Sequence, residues 1–204
     1  MSKNSSPPTT QLLQALLAKI RECRCCAAHL PQTPKPVLRA KVTARLLIVG
    51  QAPGIRVHTT GIPWNDPSGD RLRGWLQMNK NQFYDDNQIA IIPIGLCYPG
   101  KGKSGDLPPR PECAPQWQPL LQACLPNIQL TLLIGQYAQR YYLGTQAKTT
   151  LTATVQNWHH YLPSFLPLPH PSPRNQLWLK HNPWFEIEVL PLLRQQVTRV
   201  LSLT

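Results

Sequence analysis

Acidic residues are few in this 204-residue chain: nine Asp and Glu stand against 21 Lys and Arg, a formal charge of +12. That surplus sets up a field that attracts polyanions and speeds encounter with them, and nucleic acid is the leading candidate. The cations are scattered rather than gathered into one run, so a generally basic surface stays open as the plainer reading. Long hydrophobic runs are also missing; none approaches the length that crosses a bilayer, and no membrane association is expected. The opening MSKNSSPPTT lacks the apolar core of a secretion signal, which points to a cytoplasmic protein and away from a disulfide framework for its six cysteines. Internal repeats and long linkers are absent. What remains is one domain over residues 11–204, behind a Ser/Pro/Thr-rich start, residues 1–10, that is expected to fray.

Apolar residues make up 42% of the chain and recur in blocks, while the 23 prolines cluster between the blocks and punctuate loops. In QLLQALLAKIRE (11–22) the leucines and Ile20 recur at helical spacing. RLLIVG (45–50), IAIIPIG (89–95), LTLLIG (130–135) and FLPLPH (165–170) have the length and uniform apolarity of strands buried on both faces. Helices are expected near 67–78, 113–124, 136–143, 150–160 and 184–201. Such alternation predicts a three-layer α/β/α sandwich with a mostly parallel four-stranded central sheet. Ligands of such sheets gather at the carboxyl ends of the strands, where the segments after Val49, after Ile94 and at His170 should meet.

Two loops carry the chemistry. The first, GQAPGIRVHTTGIPWNDPSGDRL, begins with a tight Gly-x-x-Pro-Gly turn that lets backbone amides approach a ligand, a turn that ordinary strand-to-helix packing also produces. The second, LPHPSPRN (168–175), places three prolines in six residues and locks His170 between two of them. Alone, this second loop reads as a proline-rich surface segment with an incidental histidine.

Together the two loops resemble the uracil-DNA glycosylase superfamily, over roughly residues 20–195. The closest likeness is to its iron–sulfur family-four branch, in which Gly-Glu-Ala-Pro-Gly is followed after six residues by Gly-x-Pro-Phe; here Gly50–Gly54 is followed at the same spacing by GIPW, Gly61–Trp64. DPSGDRL, Asp66–Leu72, resembles family five instead. The resemblance implies a DNA repair glycosylase that flips a damaged base, uracil or another deaminated base, and hydrolyses its N-glycosidic bond. His170 would stabilise charge developing on the leaving base, and rigidity suits a preorganised group of that kind. Pro171, Ser172, Pro173 and Arg174 would form a wedge at the duplex. Trp64 would stack on the flipped base, with core packing as the alternative. Gln51 and Ala52 would line the base pocket.

Hydrolysis of this bond needs a carboxylate or amide to hold water and offset the sugar cation. Family four's glutamate position is Gln51 here, which can position water but cannot act as a base. Asp66 is therefore the first candidate, with a turn or helix N-cap as its competing role. His58, by the same register, falls near the pocket but reads more simply as a surface histidine. Pro93 stands where the relatives carry the asparagine that reads uracil, and proline supplies none of the same groups.

Cys23 and Cys26 form a CxxC, with Cys97 and Cys113 further on. Their placing resembles the family-four ligands of a [4Fe–4S] cluster; zinc or no metal are the alternatives, since Cys₄ also suits zinc. Cys25 and Cys124 would be free thiols, although Cys25 could replace a neighbour. The cluster would hold the loop 98–112 near DNA, with Lys101, Lys103 and Arg110 on phosphates. No catalytic lysine for strand cleavage stands out, so a monofunctional enzyme acting as a monomer is expected. A non-catalytic iron–sulfur binder of damaged or single-stranded DNA is the alternative, and a redox-sensing iron–sulfur protein a third reading.

Overall fold

The computed structural model describes residues 8–103 and 105–202. The four apolar runs become strands β1 (Leu46–Val49), β2 (Ile89–Ile91), β3 (Leu130–Ile134) and β4 (Phe165–Leu168). They form one parallel sheet in the order β2-β1-β3-β4, so all four carboxyl ends emerge at the same edge.

Alternate residues of each strand feed two separate cores. On one side Leu47 and Val49 of β1 pack with helices α1 (Pro8–Arg21), α5 (Cys113–Ala123) and α6 (Gln136–Leu143). On the other, Leu46 and Ile48 meet α3 (Pro67–Leu76), α7 (Leu151–Gln156) and α9 (Leu190–Ser202), with Phe83 and Phe185 buried among them. The expected α/β/α sandwich is thus present, and its sheet is wholly parallel. Pro167 is tolerated within β4 because that strand lies at the sheet edge, where a missing donor costs no ladder bond.

Several boundaries differ from expectation for identifiable reasons. Residues 1–7 of the expected frayed start lie outside the described residues, and from Pro8 the chain is helical, with proline suiting a first helical turn. The second run is regular only as far as Ile91; Pro93 has no N–H, although the amides of Ile92, Ile94 and Gly95 still donate to the carbonyls of Ile48, Gly50 and Gln51 at 3.0, 2.9 and 2.9 Å. The 150–160 helix shortens to α7, followed by a 3₁₀ turn at Trp158–His160. The last helix opens with a π turn at Phe185–Val189, just before Pro191, which cannot donate to the carbonyl of Ile187. Three short helices, α2 (Ile55–Thr60), α4 (Lys80–Phe83) and α8 (Gln176–His181), were not anticipated, being too short to show a period. Local signals are confined to their ends: a capping box between Asn79 and Gln82 at α4 and a left-handed C-cap glycine, Gly61, at α2.

The first loop is held by close approach. Trp64 adopts a left-handed backbone, φ +57°, and its carbonyl oxygen lies where a Cβ on Gly69 would stand, only 1.7 Å away. Gly74, in the same helix, has no heavy atom within 4 Å of such a Cβ. Gly69→Ala is therefore expected to destabilise the protein by at least about 2 kcal/mol, lowering Tm by roughly 4–8 °C. Gly74→Ala should instead stabilise by about 0.5–1 kcal/mol. Thermal unfolding of the two variants checks the opposite signs.

Candidate active site

A cavity of about 630 Å³ opens where the strand ends meet. Its walls come from the loop after β1 (Gly50–Gly54), the turn at Trp64–Asp66, Pro93 after β2, Gln136 after β3, and His170, Ser172 and Arg174 after β4. The three expected segments do converge, the one after Ile94 through Gly105 and Asp106 of the loop 98–112, neither of which was singled out from sequence, with Pro93 adding to the wall just before it.

His170 and Trp64 stand side by side, their ring centroids 5.6 Å apart with planes inclined by 35°. The indole lies directly over Gly50, where a Cβ would come within 2.8 Å of it, and this explains a glycine at the end of β1. Three groups fix the Trp64 turn. Arg73, 6% exposed, donates to the Trp64 carbonyl at 3.2 Å and to the Tyr84 hydroxyl at 3.3 Å, and pairs with Asp70 at 2.6 Å. Tyr84 in turn donates to the carbonyl of Pro63 at 2.8 Å. Sequence reading missed Arg73 and Tyr84, because neither belongs to a motif and their roles depend on α3 and α4 folding against the turn.

The histidine loop is pinned as firmly. The Ser172 N–H donates to Nδ1 of His170 at 3.2 Å, which leaves the ring proton on Nε2. Asn175 donates to the His170 carbonyl at 2.7 Å, and Arg71 donates to the Ser172 carbonyl at 3.1 Å. Burial lowers the His170 pKa, with the Asp66 carboxylate acting in the opposite direction. The imidazole is thus held neutral, with a single N–H to offer.

Asp66 takes the cap role weighed for it, Oδ1 accepting from the Gly69 N–H at 2.8 Å at the start of α3, and the residue also lines the cavity. Gln51 lines the cavity too, but its side-chain amide donates to the Leu107 carbonyl at 3.0 Å. Ala52 and Pro93 form apolar wall, and the Pro93 carbonyl accepts from Gln118 at 2.9 Å. His58 lies on α2 outside the cavity lining, with Nδ1 buried and unpartnered among the described residues. Burial and the charge of Lys35 lower its pKa.

In the histidine loop Pro171 is buried, whereas Pro173 and Arg174 are exposed. Ser172 Oγ accepts from the Arg174 N–H at 3.2 Å. Lys101 and Lys103 are exposed, whereas Arg110 pairs with Glu112 at 2.6 Å and lines a second cavity.

That second cavity brings together Cys23, Cys26, Cys97 and Cys113. Cys23 and Cys26 follow α1, Cys97 follows β2, and Cys113 opens α5. Cys25 is exposed and Cys124 packs at the edge of a core, both apart from the group. Burial pushes the Cys97 thiol up to about 11 and Cys113 up to about 12, and the neighbouring cysteines add to this. The Leu96 N–H points at the Cys113 sulfur at 3.3 Å. Among the described residues, no three His, Cys, Asp or Glu side chains stand grouped to hold a metal ion as placed. The donor set nevertheless fits a thiolate-bound group: four sulfurs share one cavity, one already accepts an N–H, and a cation would favour the thiolates that burial disfavours.

Histidine ¹⁵N titration should find His170 as the Nε2–H tautomer with a pKa below the usual value of about 6.5. Below that pH the unfolded chain binds a proton that the folded site resists. This contribution to stability is therefore lost as pH falls from about 6.5 towards the lowered native pKa. An Nδ1–H ring, or a raised pKa, would contradict the geometry.

Residues 38–194 match the family model described as the uracil DNA glycosylase superfamily, a span that holds His170, Trp64 and Asp66 and leaves out Cys23 and Cys26.

Proposed function

The chain belongs to the uracil DNA glycosylase superfamily, and on that premise we propose that it is a monofunctional glycosylase that extrudes a damaged base into the cavity beside Trp64 and hydrolyses its N-glycosidic bond. The observation that carries this reading is the pairing of Trp64 with a neutral His170 whose one N–H is set by the Ser172 amide. Trp64 offers a π face to the flipped base. His170 Nε2–H donates to the base oxygen on which charge collects as the bond breaks, and a donor that is already oriented needs no reorganisation. Asp66, its Oδ1 engaged as a cap, leaves the second oxygen to offset the sugar cation. Pro171, Ser172, Pro173 and Arg174 occupy the gap left by the base, and Lys101 and Lys103 meet phosphates.

Cys23, Cys26, Cys97 and Cys113 would hold a [4Fe–4S] cluster, with zinc as the alternative. The group would be structural and would fix both ends of the loop 98–112. Iron and sulfide content of anaerobically prepared protein separates the two metals.

One observation favours the non-catalytic binder as a second reading. The Gln51 amide is committed to Leu107 and the Pro93 carbonyl to Gln118, so two positions that recognise uracil in relatives make no equivalent offer here. A panel of single- and double-stranded oligonucleotides containing uracil, hypoxanthine, xanthine or oxidised pyrimidines decides between the readings. The glycosylase reading expects release of one of these bases, reduced about 10²–10³-fold in His170→Ala with DNA affinity retained. Asp66→Asn should also slow release while keeping the helix cap, since asparagine caps as well as aspartate. DNA binding with no release from any substrate would leave the binder.

A further inference from the structure

Gln51 stands at the position of the relatives' glutamate and lines the cavity, but its side-chain N–H is engaged on a neighbouring turn. It clamps the carbonyl of Leu107 at 3.0 Å, the last residue of a tight turn. That turn is closed by the Leu107 N–H donating to Gly100 at 2.8 Å, by Gly102 donating to Gly105 at 2.6 Å, and by a bridge between Lys101 and Asp106. The clamped turn delivers Asp106 to the cavity wall.

The Asp106 carboxylate comes close to the backbone of Gly54, where a Cβ would lie 3.1 Å from Oδ2. It makes no hydrogen bond or ion pair with any described residue, whereas Asp66 spends Oδ1 on the α3 cap. The two acids occupy different stations. Asp66 is the carboxylate whose charge His170 feels, while the charges around Asp106 are Asp66, Arg174 and Lys101, and Tyr98 feels Asp106. Desolvation raises the Asp106 pKa, the direction wanted in a general base.

We propose that Asp106 is the carboxylate that holds and deprotonates the attacking water, and that Gln51 is a positioning residue that sets the turn carrying it. The assignment rests on the glycosylase reading above. The water oxygen bonds to C1′ of the sugar as the C1′–N bond breaks. The bonding pair leaves with the base, held by His170 Nε2–H, and one water proton passes to Asp106. The released base anion takes its proton from solvent.

The test measures single-turnover base release, DNA affinity and the pH profile of release for the full protein and for Asp106→Asn, Asp106→Glu, Gln51→Ala and Gln51→Glu. Asp106→Asn is expected to slow release by about 10²-fold or more without weakening DNA binding, and to abolish the rise in rate with pH that follows carboxylate ionisation. Asp106→Glu should restore part of the rate and that rise. Gln51→Glu, though it recreates the relatives' residue, should be slower than Gln51→Ala, because an acceptor facing the Leu107 carbonyl repels the turn where alanine only releases it. Asp106→Asn within threefold of the parent rate would overturn the assignment, as would Gln51→Glu that speeds release. Parent protein that releases no base at all removes the glycosylase reading, and this assignment with it; release lost in His170→Ala but kept in Asp106→Asn removes this assignment alone.

Discussion

The cavity depends on one tryptophan held in a backbone conformation it would not choose. A non-glycine residue at φ +57° persists only where its surroundings over-determine it. At Trp64 they do: Gly50 lies flat beneath the indole, Gly69 makes room for the carbonyl, and Arg73 and Tyr84 bond the carbonyls on either side of the turn. The same turn ends at Asp66, whose cap starts α3, and α3 supplies Arg71 to the histidine loop. One strained residue thus couples the first loop to the second and sets Trp64 against His170.

A second coupling runs through Gly95. Its N–H holds the Gln51 carbonyl, its bare Cα faces Pro109 and Ala52, and it lines the cysteine cavity. The cysteine group therefore shares a wall with the loop that lines the strand-end cavity. Cys97 and Cys113 also bracket the segment that carries Lys101, Lys103 and Asp106. A structural cluster there would stiffen one side of the active site without taking part in chemistry.

The sheet was legible in the sequence because a parallel strand covered on both faces leaves an unbroken apolar run, and the longer helices because burial on one side leaves a period. His170 and Trp64 were legible only through the family resemblance, which the glycines and prolines of their two loops carry together. What escaped depends on tertiary contact. Asp106 sits in a polar turn with no period or motif, and only its folding back onto Gly54 brings it to the cavity. Gln51 read as a pocket residue, but its partner lies 56 positions away. Side-chain pairing of this kind leaves no trace in spacing.

The most direct test of the central claim is a crystal structure of the His170→Ala protein with a duplex carrying the lesion that the parent protein releases, or, if it releases none, a uracil-containing duplex. The account predicts an extruded nucleotide in the strand-end cavity, its base stacked on Trp64 and its carbonyl oxygen facing the space vacated by the imidazole, with Arg174 at the gap in the duplex. A base that stays stacked in the duplex, or DNA bound on another face with the cavity unfilled, would contradict it.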